Sequence, residues 1–101
     1  MNYGYLRVST DKQDIENQKI AILEYGNTFN LNKIEFITKI ISSRKTDRVI
    51  FQLIERLKPD DNLIIYELSR LARSMSELES IRVKIAEKRT TLHAISQKLI
   101  I

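Results

Sequence analysis

Short apolar runs alternate with longer amphipathic segments from one end of the chain to the other. The apolar runs, which either alternate like strands or are wholly apolar, are residues 2–8, 33–38, 63–66 and 91–95. The amphipathic segments, whose apolar residues recur at spacings of three and four, are residues 13–25, 49–57 and 74–88. This order of strands and helices predicts a three-layer α/β domain, in which a mostly parallel four-stranded sheet carries helices on both faces.

Local signals mark the ends of two of these helices. A hydroxyl followed three residues later by an amide or an acid forms a capping box, and the two such pairs are Thr10 with Gln13 and Ser74 with Glu77. Gly26 stands where the first helix is predicted to stop, because glycine readily adopts the left-handed conformation that ends a helix. The pattern therefore predicts helix starts at Thr10 and Ser74.

Three further features have a structural interpretation. Met75 and Ile81 share one apolar face of the third predicted helix, and this face is most simply part of the core. His93 alternates with apolar neighbours on a predicted strand and has no partner nearby in sequence. Gln18 lies on the first predicted helix, where we expect it to support the turn at Ser9.

Composition narrows the class of protein. The 101 residues suffice for one domain, so residues 1–101 are assigned to a single domain. Hydrophobic residues make up 43% and charged residues 30%, as in a globular protein, and no apolar run approaches the roughly 18 residues of a membrane span. The absence of cysteine excludes disulfides and fits a cytoplasmic protein. A single histidine disfavours a zinc site and a Ser-His-Asp triad.

The charge is moderately basic. The 17 basic and 13 acidic residues leave a net charge of +4, which is compatible with a nucleic-acid partner but is weak support for one. Neither end of the chain carries a tail rich in lysine and arginine. A DNA-binding surface would therefore have to form by convergence of basic residues in space.

Polar residues follow the predicted strands at their carboxyl ends, where ligands bind in parallel sheets. These positions are Ser9, residues 42–48 and residues 69–73. The arginines that would meet on this rim are Arg7, Arg48, Arg70 and Arg73. A hydroxyl beside a helix N-terminus, with guanidinium groups close by, suits attack on a phosphate. The alternative from spacing alone is that Ser9 only caps a helix and the arginines form solvated basic turns.

Three motifs together resemble a known family. They are residues 3–13, Tyr-Gly-Tyr-Leu-Arg-Val-Ser-Thr-Asp-Lys-Gln, the pair Asp47-Arg48, and residues 68–74, Leu-Ser-Arg-Leu-Ala-Arg-Ser. The chain resembles, over nearly all of its length, the N-terminal catalytic domain of the serine site-specific recombinases, the resolvase/invertase family.

The resemblance implies an enzyme that cleaves and rejoins DNA through a 5′-phosphoserine intermediate. Ser9 matches the nucleophile, and Gln13 and Ser42 match supporting polar positions that bind or orient the DNA phosphate. The residues that match arginines holding the scissile phosphate are Arg7, Arg48, Arg70 and Arg73. No cofactor and no metal ion are implied. The expected partners are DNA and, in the full-length protein, further copies forming a homodimer and a homotetramer.

Two departures from the family pattern leave alternatives open. Ser69 stands where the family usually has an acidic residue, and the chain stops before the long dimerisation helix and the helix-turn-helix that follow this domain in the family. An isolated domain is therefore expected to be inactive. A catalytically decayed or truncated, DNA-associated interaction module is the alternative function. A small-molecule phosphate hydrolase would need a metal cluster or a histidine base.

Overall fold

The computed structural model describes residues 1–8, 11–40 and 48–101, and of Arg48 it describes the backbone only. In chain order the elements are β1 (Asn2–Val8), α1 (Lys12–Thr28), β2 (Ile34–Ile40), α2 (Arg48–Arg56), β3 (Asn62–Ile65), α3 (Met75–Lys88), β4 (Thr91–Ala94) and β5 (Leu99–Ile100). A short 3-10 helix, Leu68–Arg70, lies between β3 and α3. The predicted alternation of strands and helices is confirmed.

The strands form one sheet in the order β2-β1-β3-β4-β5. The first four are parallel, as predicted, and β5 pairs antiparallel with β4. The prediction of four strands was one strand short, because the two residues of β5 are too few to show a periodic pattern. Pairing with Leu92 defines this edge, since the backbones of Leu92 and Ile101 exchange two hydrogen bonds of 3.0 and 2.9 Å.

Helices cover both faces of the sheet, which also confirms the prediction. Tyr3 and Tyr5 of β1 point to one face and pack with Ile50 of α2 and Ile81 of α3 in the larger hydrophobic cluster. Leu6, Val8 and Ile64 point to the opposite face, where Ile22 of α1 completes a smaller cluster. Successive strand residues point to opposite faces, so the fully apolar strands reflect burial on both sides.

The start of α1 differs from the prediction by one residue. Asp11 is the N-cap, and its carboxylate accepts a hydrogen bond from the Gln13 backbone N–H at 2.9 Å. Thr10 lies outside the described residues. Aspartate caps a helix as well as a hydroxyl does, so the spacing of Thr10 and Gln13 pointed to the right turn but the wrong residue. The cap predicted at Ser74 is confirmed, with its hydroxyl accepting from the Glu77 N–H.

Two other positions correct the sequence reading. Gly26 does not stop α1; it is buried inside the helix, which continues to Thr28. Close packing favours a glycine at this position, because a Cβ there would stand 2.6 Å from the Leu31 carbonyl oxygen. Met75 is not core, since 80% of it is exposed. The buried residues of α3 are Ile81 and Ile85, which lie more than a turn beyond the first helical residue.

Candidate active site

The carboxyl ends of β1 and β3 meet at the topological switch point of the sheet. The chain leaves β1 for β2 on one side and returns to β3 on the other, with β1 between them. Connections that diverge in this way leave a crevice, which is where parallel α/β sheets bind ligands. Ser9 follows β1 in sequence and lies outside the described residues. The segment after β3 supplies the 3-10 helix with Arg70.

Arg7 is a buried cation at the end of β1. Only 7% of the residue is exposed, and the strand alternation places its side chain on the same face as Tyr5. Among the described residues, its Nε and Nη1 atoms are buried and have no hydrogen-bond partner. Burial of an unpaired guanidinium is unfavourable. The site is therefore suited to an anion that would bring counter-charge and hydrogen-bond acceptors to Arg7.

Arg70 reaches across the end of β1 and contacts it directly. Its Nη1 atom donates to the backbone carbonyl oxygen of Arg7 at 3.3 Å. The same guanidinium meets the carboxylate of Asp14, in the first turn of α1, through Nη1 at 3.3 Å and Nη2 at 3.4 Å. Its Nε atom forms an ion-pair contact of 3.5 Å with Oε1 of Glu67, but it is buried and has no hydrogen-bond acceptor among the described residues. The structure thus brings two of the predicted arginines together, although 63 positions separate them in sequence.

The other predicted site residues fall into two groups. Arg73 is exposed beyond the 3-10 helix and, with Ser69 and Ala72, lines an open cavity of about 450 Å³. Gln13 is exposed in the first turn of α1. The remaining predictions fall on parts of the chain outside the description, namely Ser9, Ser42 and the side chain of Arg48.

Two residues that belong to this arrangement, Asp14 and Glu67, were not predicted from the sequence. Asp14 looked like an ordinary acidic residue in a first helical turn, where carboxylates complement the helix dipole. Glu67 directly precedes the motif that contains Arg70, and proximity to that motif was its only signal. Gln18 was expected to support the turn at Ser9; it is 1% exposed and donates through Nε2 to Asp14 at 3.2 Å.

Two other kinds of feature are absent from the described ranges, namely a metal-ligand cluster and a membrane-spanning helix. Residues 1–8, 11–40 and 48–101 contain no group of three or more His, Cys, Asp or Glu side chains placed to hold a metal ion. In the same ranges, no helix combines the length and the apolar character needed to cross a bilayer.

Comparisons with known proteins agree with the motifs. The family model described as the resolvase N-terminal domain matches residues 2–100. The chain is 35% identical to the Tn917 resolvase of Enterococcus faecalis over 77% of its own length, and 33% identical to a resolvase of Clostridium perfringens over 94%. It spans only 40% and 49% of those two proteins.

A solved structure supports the same fold. The resolvase family site-specific recombinase of Streptococcus pneumoniae superimposes with a TM-score of 0.74, at 19% identity, over 98% of this chain and 74% of that one. The parallel sheet with helices on both faces is thus the fold of that protein. With the family model covering almost every residue, the chain belongs to the resolvase N-terminal domain family.

Proposed function

We propose that residues 1–101 are the catalytic domain of a DNA site-specific recombinase of the resolvase/invertase type. The observation that carries this proposal is the pair Arg7 and Arg70 at the end of the strand that leads to Ser9. The guanidinium of Arg7 is buried with two nitrogens unpartnered among the described residues, and Arg70 touches its backbone. A DNA phosphate would supply the charge and the acceptors that Arg7 lacks.

The proposed reaction is a transesterification with Ser9 as the nucleophile. Its hydroxyl oxygen bonds to the phosphorus, the bond from phosphorus to the 3′ oxygen breaks, and the serine proton ends on that oxygen as a 3′ hydroxyl. The 5′ phosphate remains on the serine. Attack by a 3′ hydroxyl from another strand reverses the step and rejoins the DNA. The phosphoserine ester conserves the energy of the phosphodiester bond, so the proposed steps themselves need no nucleotide cofactor.

The arginines would act on the charge that develops at the phosphorus. Attack concentrates negative charge on the phosphoryl oxygens, and fixed cationic donors stabilise it. We assign this task to Arg7, Arg48, Arg70 and Arg73. Gln13 and Ser42 are proposed as polar residues that orient the phosphate or the serine. The alternative of a decayed interaction module loses its main support, because the acid absent at position 69 has a nearby counterpart in Glu67, within hydrogen-bond distance of the Ser69 hydroxyl.

The partners follow from the same proposal. We expect DNA as the substrate, met in the cytoplasm, and a homodimer that pairs into a homotetramer in the full-length protein. These assemblies are proposed from the family to which the chain belongs.

The nucleophile is tested in a chimera, because the chain spans about half the length of its relatives. Residues 1–101 replace the matching half of the Clostridium perfringens resolvase, and the chimera is incubated with a nicked suicide substrate carrying that resolvase's site. We expect a covalent adduct that mass spectrometry maps to Ser9. The variant Ser9→Ala should abolish it, whereas Ser96→Ala, at an exposed serine before β5, should not. A folded, DNA-bound chimera without an adduct would contradict the proposal.

The same assay tests the arginines. We expect Arg70→Ala and Arg73→Ala to slow strand cleavage by roughly two orders of magnitude or more, the scale of one lost oxyanion donor. Arg82→Ala is the matched control, because it removes an exposed arginine on α3 with the same change in net charge. Cleavage preserved in either site variant, together with a large drop in melting temperature, would assign that arginine a structural role instead.

A further inference from the structure

Arg70 contacts a backbone carbonyl group and two carboxylates. Carboxylates from two separate elements contact it: Asp14 from the first turn of α1 and Glu67 from the segment after β3. Asp14 faces the two terminal nitrogens, and Glu67 lies beside Nε. A guanidinium is planar and carries its donors in a fixed fork. The contacts at Nε and at the two terminal nitrogens therefore fix the plane of the guanidinium, and with it the direction in which its remaining N–H group points.

Each carboxylate is itself held in place. The hydroxyl of Ser69 donates to Oε1 of Glu67 at 2.8 Å. The amide of Gln18 donates to Oδ2 of Asp14 at 3.2 Å, and Gln18 is almost completely buried. A buried amide is anchored by the packing around it, so it can fix the orientation of the carboxylate. Supporting contacts of this kind preorganise a functional group.

Stability alone does not explain this arrangement. About a quarter to a third of each of the three side chains is exposed, 27% for Arg70, 26% for Asp14 and 32% for Glu67. Ion pairs with this much contact to water contribute little to folding. The contacts nevertheless leave a donor available, because Nη2 uses one of its two N–H groups on Asp14 among the described residues.

We propose that Asp14 and Glu67 are positioning residues that hold the guanidinium of Arg70 toward the scissile phosphate. This inference rests on the proposed function. It also assigns different roles to the two arginines. Nε and Nη1 of Arg7 are buried without a hydrogen-bond partner among the described residues, so Arg7 brings a charge that needs an anion, whereas Arg70 brings a donor of fixed direction. A misdirected donor is costly, since an error of about 1 Å in placement can slow a reaction a hundredfold.

The first test uses the 101-residue chain and needs no DNA. The Nε–H resonance of Arg70 is assigned by NMR, and its exchange with water is measured in Asp14→Asn and Glu67→Gln. We expect exchange to accelerate about tenfold or more in Glu67→Gln, with a smaller change in Asp14→Asn, because the ion pair with Glu67 holds Nε in its buried position, where it has no hydrogen-bond acceptor among the described residues. The control Glu79→Gln removes another exposed arginine partner, on α3, and should leave Arg70 unchanged. An Arg70 resonance unaffected by both site variants overturns the inference.

The second test measures strand cleavage in the chimera described above. Glu67→Gln should lower the cleavage rate constant at saturating DNA about tenfold to a hundredfold, while DNA affinity stays within about twofold. In the double variant Glu67→Gln with Ser69→Asp, most of the cleavage rate should return. The side chain at position 69 lies within hydrogen-bond distance of the Glu67 carboxylate, so an aspartate there would supply a carboxylate close to the one that was removed.

The outcomes separate the inference from the function on which it rests. An unchanged cleavage rate in Glu67→Gln, or a loss confined to DNA affinity, overturns the positioning role. Failure of the second substitution to restore cleavage also counts against it. A parent chimera that forms no adduct contradicts the proposed function instead, and the NMR result then still decides whether the two carboxylates orient Arg70.

Discussion

A row of hydrogen bonds beneath α1 depends on one protonation state of the chain's single histidine. The Tyr25 hydroxyl lies 2.7 Å from Nδ1 of His93, and Nε2 of His93 lies 2.8 Å from the side-chain oxygen of Asn62. The Asn62 amide donates to Asn2, which donates to the backbone of Asn32. Since the Asn62 oxygen can only accept, Nε2 carries the proton, and neutral His93 accepts from Tyr25 at Nδ1.

We predict that Tyr25→Phe destabilises the fold by about 1–3 kcal/mol. The substitution keeps the ring, which lies 4.5 Å from that of Phe29 between centroids, so the loss is confined to the hydroxyl. Nδ1 of His93 is then left buried without a donor, and an unsatisfied buried acceptor costs about that much. For a chain of this size, the melting temperature should fall by roughly 4–8 °C for each kcal/mol.

The same network predicts how stability depends on pH. Burial lowers the pKa of His93 below its ordinary value of 6.5, so the unfolded chain binds a proton more readily than the folded one. The contribution of neutral His93 to the free energy of unfolding is therefore complete above pH 6.5, and it is lost as the pH falls from there toward the pKa of His93 in the folded chain. The slope cannot exceed about 1.4 kcal/mol per pH unit for one proton. Burial raises the pKa of Tyr25, which keeps its hydroxyl protonated as a donor.

Urea unfolding between pH 7 and pH 5, followed by circular dichroism, measures both effects. Tyr66→Phe is the control, because it removes the hydroxyl of a half-buried tyrosine outside the network. We also expect the NMR signals of His93 to show the tautomer protonated at Nε2. A Tyr25→Phe variant within about 0.3 kcal/mol of the parent, or a stability that rises as the pH falls from 7 to 5, would refute the reasoning.

Three further predictions concern single side chains, each measured as a free energy of unfolding in urea. Burial alone would raise the pKa of Asp61, but hydrogen bonds from the chain's amino terminus and the Lys58 N–H lower it below 3.8. Asp61→Asn should therefore destabilise by about 1–3 kcal/mol at pH 7, with the difference shrinking as the pH falls below 3.8; an unchanged difference at low pH would contradict this. Gly26→Ala should destabilise by about 1–3 kcal/mol through overpacking despite the better helix propensity of alanine, because the added Cβ meets a backbone carbonyl; a stabilised variant would show that the loop yields. Met75→Ala should change stability by less than about 0.5 kcal/mol, because Met75 is exposed. Ile81→Ala, at a fully buried position, should cost about 2–5 kcal/mol. Equal costs for the two variants would show that Met75 is part of the core.

The order of strands and helices could be predicted from sequence because its signals are local. Apolar runs, helical spacing and the cap at Ser74 each occupy a few consecutive residues, and the structure confirms them. The motifs around Ser9 and Arg70 were sufficient to identify the family that the family model matches. Errors arose where packing overrides a local signal, as when a close carbonyl makes Gly26 an interior residue rather than a helix stop.

The tertiary structure decided which of the candidate residues meet. Parallel pairing of β1 with β3 sets Arg70 against the end of β1, and the crossing of α1 over the sheet brings Asp14 to the same guanidinium. Such contacts join positions more than fifty residues apart, so no pattern along the chain encodes them directly. The burial of Arg7, with two nitrogens that have no hydrogen-bond partner among the described residues, became visible only once the strands were paired. Burial and the direction of a side chain are properties of neighbours that folding brings together, whereas sequence pattern records only the preferences of each segment.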